Sequence, residues 1–223
     1  MKTYLDTIYD PNKKPITYVY PERLTKYLIT RFNLNEGEKL MEPGYGRGEF
    51  LYQFSKKKFL CFGFDNSSFH NRMKFNAEIK NHDATILPWP YPDNYFDIIY
   101  NKSFIEHFYY PENLFSQFYR ILKPGGKLIC LTPDWETIYE TFYEDFTHRT
   151  PFTKKSLEDI NELSGFKNIS VEKFLQLPLL WKNNYFLKLL SKLTKQFVPN
   201  YFIKKSKWVR FSKEVMLLSY SEK

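Results

Sequence analysis

A chain of 223 residues can bury roughly 70% of the surface its unfolded form exposes, enough for one α/β domain with an insertion. Its 43% apolar and 26% charged content, with no run of 18 or more apolar residues and no apolar stretch behind Lys2, argue against a disordered or membrane-spanning chain and lead to the expectation of a soluble cytoplasmic protein. The net charge of +8 comes from ten basic residues and no acid between Lys173 and Lys213, the rest carrying 23 basic against 25 acidic residues, and 26 Lys against 7 Arg disfavours phosphate recognition by planar forks.

Residues 1 to 20 carry Pro11 and Pro15 and read as irregular. Pro21 to Phe32 predicts a helix with Leu24, Leu28 and Phe32 on one face, so that residues 1–37 form an N-terminal cap on a single domain spanning 1–223. Lys39 to Glu42 is a short buried strand, and the glycine-rich turn after it opens a helix from Gly48 to Lys57. Strand Phe59 to Asp65, a short helix, strand Glu78 to Asp83, a Pro-rich loop and strand Phe96 to Asn101 follow. Helix Glu112 to Leu122 is stopped by Lys123-Pro124-Gly125-Gly126 before strand Lys127 to Thr132. Helix Ser156 to Ser164 ends at Gly165, where a left-handed cap is expected, and leads to strand Asn168 to Phe174. A basic helical insertion, 179–210, precedes a last strand, Val215 to Tyr220. Strands alternating with helices imply a parallel sheet with helices on both faces. Cys61 and Cys130 fall in the second and fifth strands, on the order of 14 Å apart, and are expected to be buried unpaired thiols. Aromatic residues are 20% of the chain, which calls for a ring-rich core or site.

The segment Leu40-Met41-Glu42-Pro43-Gly44-Tyr45-Gly46-Arg47-Gly48-Glu49-Phe50-Leu51 follows a strand and opens a helix, the context of a cofactor loop. Glycine lets the backbone turn sharply and approach a ligand without a Cβ clash. A dinucleotide fingerprint, G-x-G-x-x-G, would need its third glycine where Glu49 stands. Phe62-Gly63-Phe64-Asp65 ends in a carboxylate 17 residues after Gly48, near the ~20-residue offset at which an acid meets ribose hydroxyls. Asp83, in Asn81-His82-Asp83-Ala84, ends the next strand, where an aspartate is ordinarily a turn former.

The spacing of Gly44, Gly46 and Gly48, with Glu42 two residues before, resembles motif I of class I S-adenosylmethionine-dependent methyltransferases of the type-11 kind. Leu87-Pro88-Trp89-Pro90-Tyr91-Pro92-Asp93-Asn94-Tyr95-Phe96-Asp97-Ile98-Ile99 is similar to the family's approach to strand four, and Arg120-Ile121-Leu122-Lys123-Pro124-Gly125-Gly126-Lys127-Leu128 to its turn into strand five. The resemblance covers roughly residues 38 to 133. It implies a Rossmann-like, doubly wound, mostly parallel seven-stranded sheet with an antiparallel last strand. It implies S-adenosylmethionine as cofactor and no metal. Glu42, Gly44, Tyr45, Gly46 and Gly48 would hold the cofactor's amino-acid end, Asp65 its ribose and Asp83 its adenine, with Asn66, Ala84 and Asn101 also on the cofactor.

Four histidines are present. His70 and His82 read as surface or packing residues. His107, in Ser103-Phe104-Ile105-Glu106-His107, follows strand four at the carboxyl edge where open α/β sheets bind ligands, and the resemblance places it on the cofactor pocket wall. His148 lies in Glu144-Asp145-Phe146-Thr147-His148-Arg149-Thr150-Pro151-Phe152-Thr153, which resembles a segment of methyltransferases from glycan-modifying pathways. It is the acceptor-side candidate, with Asp145 and Arg149 as substrate-binding residues, although it also reads as a cap on the following helix.

These residues support O-methylation of a small molecule or glycan, with His148 or His107 as base, since an unperturbed imidazole titrates near 6.5. An amine acceptor needs only a route for its proton. RNA methylation is the alternative, favoured by net charge and opposed by the Arg shortage and by Asn101-Lys102-Ser103-Phe104 standing where an N-P-P-[YF]-type tetrapeptide would. A non-catalytic cofactor-binding protein is the third reading.

Asn184 to Phe197 predicts an amphipathic helix, with Phe186, Leu189, Leu190, Leu193 and Phe197 within a 100° arc and Lys188, Lys192 and Lys195 opposite. Either the apolar face packs on the domain, or the insertion covers the acceptor site or lies on an anionic membrane, with Trp181 and Tyr185 at the interface. Oligomeric state is not legible.

Overall fold

Seven strands form one sheet in the order β3-β2-β1-β4-β5-β7-β6. They are β1 (Lys39–Pro43), β2 (Leu60–Asp65), β3 (Glu78–Asn81), β4 (Phe96–Lys102), β5 (Leu122–Pro133), β6 (Lys167–Phe174) and β7 (Met216–Glu222). The computed structural model describes residues 16–66, 75–181, 185–202 and 205–223. The first fifteen residues, the short helix expected after Asp65, His70, Lys182 and Lys204 lie outside the described residues. β1 pairs in parallel with β2 and β4, β2 with β3, and β6 runs antiparallel to β7, which is the mostly parallel Rossmann-like sheet that the sequence implies. The chain divides into two compact units, residues 1–101, 117–127 and 223 in the first and 102–116 with 128–222 in the second.

In the first unit, helix α1 (Val19–Phe32) starts two residues before Pro21 and buries Leu24 and Leu28, as its 3.6-residue period requires. β1 is buried over four consecutive residues, the pattern of a central parallel strand covered on both faces. Helix α2 (Glu49–Lys56) follows it. The aromatic excess goes into this core. Tyr100 meets Phe50 and Phe54 at 5.6 and 5.3 Å, Phe62 meets Phe96 at 5.3 Å, and Phe64 meets Trp89 at 4.8 Å between ring centroids.

Helix α3 (Pro111–Ile121) supplies Gln117 and Arg120, which tie the Pro-rich loop down. The buried Trp89 gives its backbone N–H to Gln117 Oε1 at 3.0 Å and its indole N–H to the Ala84 carbonyl at 2.9 Å. Arg120 donates to the carbonyls of Trp89 and Tyr91 and pairs with Asp93 at 2.7 Å. The two segments that resembled separate family motifs are therefore one hydrogen-bonded assembly. β5 starts at Leu122, five residues before the expected Lys127, because the Gly125 N–H donates to the Lys223 carbonyl and the Lys223 N–H to that of Gly126.

In the second unit, helix α4 (Lys154–Leu163) starts two residues before Ser156. Thr153 and Ser156 form a reciprocal capping box, with serine where glutamate or glutamine is usual, so the sequence signal is weak. Gly165 takes the expected left-handed conformation, φ +92°. Cys61 and Cys130 are buried and form no disulfide, and burial raises the Cys61 thiol to about 12.

The insertion departs from the packing expectation. It holds helix α5 (Tyr185–Phe197) and a further helix, α6 (Lys207–Lys213), capped by Ser206. α5 turns Ser191 and Thr194 inward, where Ser191 Oγ meets Ser212 Oγ and Thr194 Oγ1 accepts the Trp208 indole N–H, each at 2.9 Å. Phe186 and Phe197 are each 70% exposed and Leu189, Leu190 and Leu193 are 42 to 43% exposed. The apolar arc is thus not the face that packs. Among the described residues no helix is long and apolar enough to cross a membrane.

Candidate functional site

The first unit carries the loop between β1 and α2. Gly44, Gly46 and Gly48 have φ of +61°, +55° and +72°, a left-handed region that strains any residue bearing a Cβ. The loop is held to the end of β2. Gly44 N–H donates to the Phe64 carbonyl at 2.8 Å, and Gly46 N–H to Asp65 Oδ2 at 2.9 Å. Glu42 and Asp65 are both buried.

Tyr45 turns its ring against Gly63, where an added Cβ would stand 2.8 Å from Tyr45 Cδ1 and 3.0 Å from the Glu42 carbonyl oxygen. Gly63 is therefore the residue that admits the Tyr45 ring. The Tyr45 hydroxyl is buried with no hydrogen-bond partner, and burial together with the Asp65 charge raises its pKa. An orphan donor beside a carboxylate at a strand end, next to a glycine loop, suits a ligand rich in hydroxyl and amino groups. The donor set fits S-adenosylmethionine.

Other expected cofactor residues divide. Asn101 is fully buried at the end of β4 and Ala84 is buried, its carbonyl engaged by Trp89, whereas Asn66 is exposed. Asp83 Oδ1 accepts both the backbone N–H and the hydroxyl of Thr85 at 2.8 Å, the turn-forming role ordinary for aspartate.

The second unit gathers the acceptor-side candidates. Ser103, at the end of β4, takes φ +52°, uncommon for a residue with a Cβ, and a 3-10 turn, Ile105–His107, follows. The Glu106 carbonyl accepts the N–H groups of Arg149 and Thr150 at 2.8 and 3.1 Å, which joins the Glu106-His107 turn to the His148 segment. The Glu106 side chain is fully buried, with Oε2 accepting the Thr132 hydroxyl at 3.0 Å and Oε1 unpartnered. Nothing in the local sequence pattern marks Glu106 or Thr132 for this role. An apolar strand such as β5 does not reveal which carboxyl its threonine meets.

His107 and His148 stand with ring centroids 5.0 Å apart. His148 Nδ1 is 2.7 Å from the Phe142 carbonyl, its ring packed on that of Phe142 at 4.5 Å, so Nδ1 carries the proton. Asp145 accepts the Thr147 hydroxyl, and this hydroxyl meets His107 Nδ1. Asp145 thus acts through Thr147. Arg149 turns its guanidinium onto the carbonyls of Phe146 and His148 and over the Tyr109 ring at 5.2 Å. Burial raises the Glu106 carboxyl above its ordinary range, opposed in part by its backbone hydrogen bond and His148. Burial lowers His107, opposed by Asp145. Glu106, His107 and His148 each offer one ligand atom within 4.8 Å of the others, a spacing that suits proton sharing as well as a cation. Such a set offers groups that can take up a proton and pass it on.

Comparison with known proteins places these features in a family. The family described as Methyltransferase domain matches residues 17–171. Phosphoethanolamine N-methyltransferase 1 of Arabidopsis thaliana is 31% identical over 121 residues, 49% of this chain and 24% of that protein. The phosphoethanolamine N-methyltransferase of Plasmodium falciparum is 27% identical over 160 residues, 65% of this chain and 59% of that one. The chain thus spans about a quarter of the plant enzyme's length. Among solved structures, a SAM-dependent methyltransferase from Archaeoglobus fulgidus aligns over 99% of this chain and 100% of its own, with TM-score 0.67 and 22% identity. Phosphoethanolamine N-methyltransferase 2 of Haemonchus contortus, solved with phosphomonomethylethanolamine and S-adenosylhomocysteine, aligns over 98% of this chain and 58% of its own, with TM-score 0.65 and 18% identity.

Proposed function

We propose that this chain, which belongs to the Methyltransferase domain family and takes S-adenosylmethionine as cofactor, methylates the nitrogen of a small polar amine. When bound, the cofactor supplies a methyl group activated on a sulfonium, and in-line transfer relies chiefly on proximity and alignment. The single observation that carries the reading is the His107 imidazole, held neutral by burial beside Glu106 and His148. An alkylammonium must shed a proton before its lone pair can attack, and a neutral imidazole takes that proton.

The residues divide the work. Asp65 accepts hydroxyl donors, while the left-handed glycines let the loop backbone approach without Cβ contacts. Asp145 and Thr147 orient His107, and the Phe142 carbonyl orients His148. The names of the relatives support a phosphorylated amino alcohol as acceptor. O-methylation of a small-molecule or glycan hydroxyl is the second reading, favoured by the same neutral imidazole, since a hydroxyl needs a general base.

The test offers labelled S-adenosylmethionine with phosphoethanolamine, ethanolamine, free sugars, or nucleic acid. The expected outcome is label on an amine nitrogen, lost in His107→Ala. Label on a hydroxyl and none on either amine would replace the proposal by the second reading.

A further inference from the structure

We propose that the exposed face of α5 is a docking surface for an anionic lipid bilayer. The observation behind it is the inverted packing of this helix. A surface helix ordinarily buries its apolar arc and shows its polar one. Here Ser191 and Thr194 face the α6 side, and Phe186, Leu189, Leu190, Leu193 and Phe197 face solvent. Tyr201 and Phe202, in the turn Asn200–Phe202, add two further exposed rings, 69% and 43% open.

The inward strip is specified. The Ser191–Ser212 and Trp208–Thr194 hydrogen bonds and that from Lys213 Nζ to the Lys195 carbonyl fix α5 against α6 through polar groups, so a rotation that buried the apolar arc would break all three. Isolated exposed leucines need no explanation, but a contiguous arc on one helix marks an interaction site.

Charge selects the occupant. At 100° per residue Lys188, Lys192 and Lys195 gather on the polar side opposite the apolar arc, and all three are exposed. The sequence from Lys173 to Lys213 contains no Asp or Glu, and Asp134 and Glu136, from outside it, act on Lys195. An apolar arc with aromatic residues on one face and lysines on the other is the pattern of a helix lying in a bilayer interface among anionic headgroups. A nucleic acid would use the lysines and leave five apolar side chains in water.

Sedimentation of the full chain with vesicles tests the proposal. Binding is expected to phosphatidylcholine vesicles that contain phosphatidylserine, weak binding to phosphatidylcholine alone, and release at high salt, because exposed charges are screened within about 10 Å at 0.1 M. Lys188→Gln with Lys192→Gln is expected to weaken binding about fivefold per lysine, and Leu193→Ser with Phe197→Ser to abolish it. Unchanged circular dichroism and melting temperature would show that these exposed substitutions leave the fold intact. Failure to bind anionic vesicles at low salt overturns the proposal. A dimer in gel filtration that Leu193→Ser dissociates, or RNA binding that survives Leu193→Ser with Phe197→Ser while vesicle binding is absent, would overturn it in favour of another occupant.

Discussion

The Thr147 hydroxyl oxygen lies 2.9 Å from Nδ1 of His107 while giving its own proton to Asp145 Oδ1 at 2.6 Å. Toward His107 it can only accept, so Nδ1 carries the ring proton. His107→Ala is expected to lower kcat by about 10²-fold or more, and Thr147→Val by a smaller factor, both with unchanged cofactor affinity. Because the Asp145 charge raises the His107 pKa against the burial that lowers it, Asp145→Asn should move the acid limb of the kcat/KM profile to lower pH. A limb that stays in place would remove Asp145 from the chemistry.

Glu106 gives a stability prediction of definite sign. Burial holds its folded pKa above the unfolded value, so the native state keeps more protons between the two. The favourable contribution is complete below the ordinary carboxylate range, about pH 4, and is lost as pH rises through the raised folded value. Glu106→Gln keeps an acceptor for the Thr132 hydroxyl and removes the titration. Its melting temperature should exceed that of the wild type in mildly alkaline buffer, and the gap should close in acid.

Asp65 is both a tether for Gly46 and an acceptor for ligand hydroxyls, and Asp65→Asn separates the roles because the amide oxygen can still accept the Gly46 N–H. Calorimetry should show S-adenosylmethionine binding weakened by about 1.5 to 3 kcal/mol, the range for hydrogen bonds to charged groups, with little change in melting temperature.

Gly63→Ala places a Cβ 2.8 Å from Tyr45 Cδ1 and 3.0 Å from a backbone oxygen that cannot move aside. Overpacking of this kind costs about 1 to 3 kcal/mol. Thermal melts should show the loss, and cofactor affinity should fall with it because Tyr45 belongs to the loop.

Arg120→Lys retains the charge but not the fork that reaches Trp89, Tyr91 and Asp93 together. A stability loss of about 2 kcal/mol is expected from hydrogen bonds no longer made to carbonyls and a carboxylate. Full stability of the lysine variant would show that the buried Trp89 alone holds this loop.

The sequence by itself determined the order of the elements, the left-handed glycines after β1 and the carboxylate ending β2. Each follows from local rules of period, turn chemistry and spacing, which act within a few residues of one another. The tertiary structure alone decided which polar groups meet. His148 and Glu106 come together only because Arg149 and Thr150 hydrogen-bond to the Glu106 carbonyl, and Arg149, expected on a substrate, is turned onto its own segment's carbonyls. The period of α5 fixed which residues share a face, but not which face packs. That choice rests on Ser212 and Trp208 offering hydrogen bonds to Ser191 and Thr194, partners set by chain connectivity over a longer range than any helical repeat encodes.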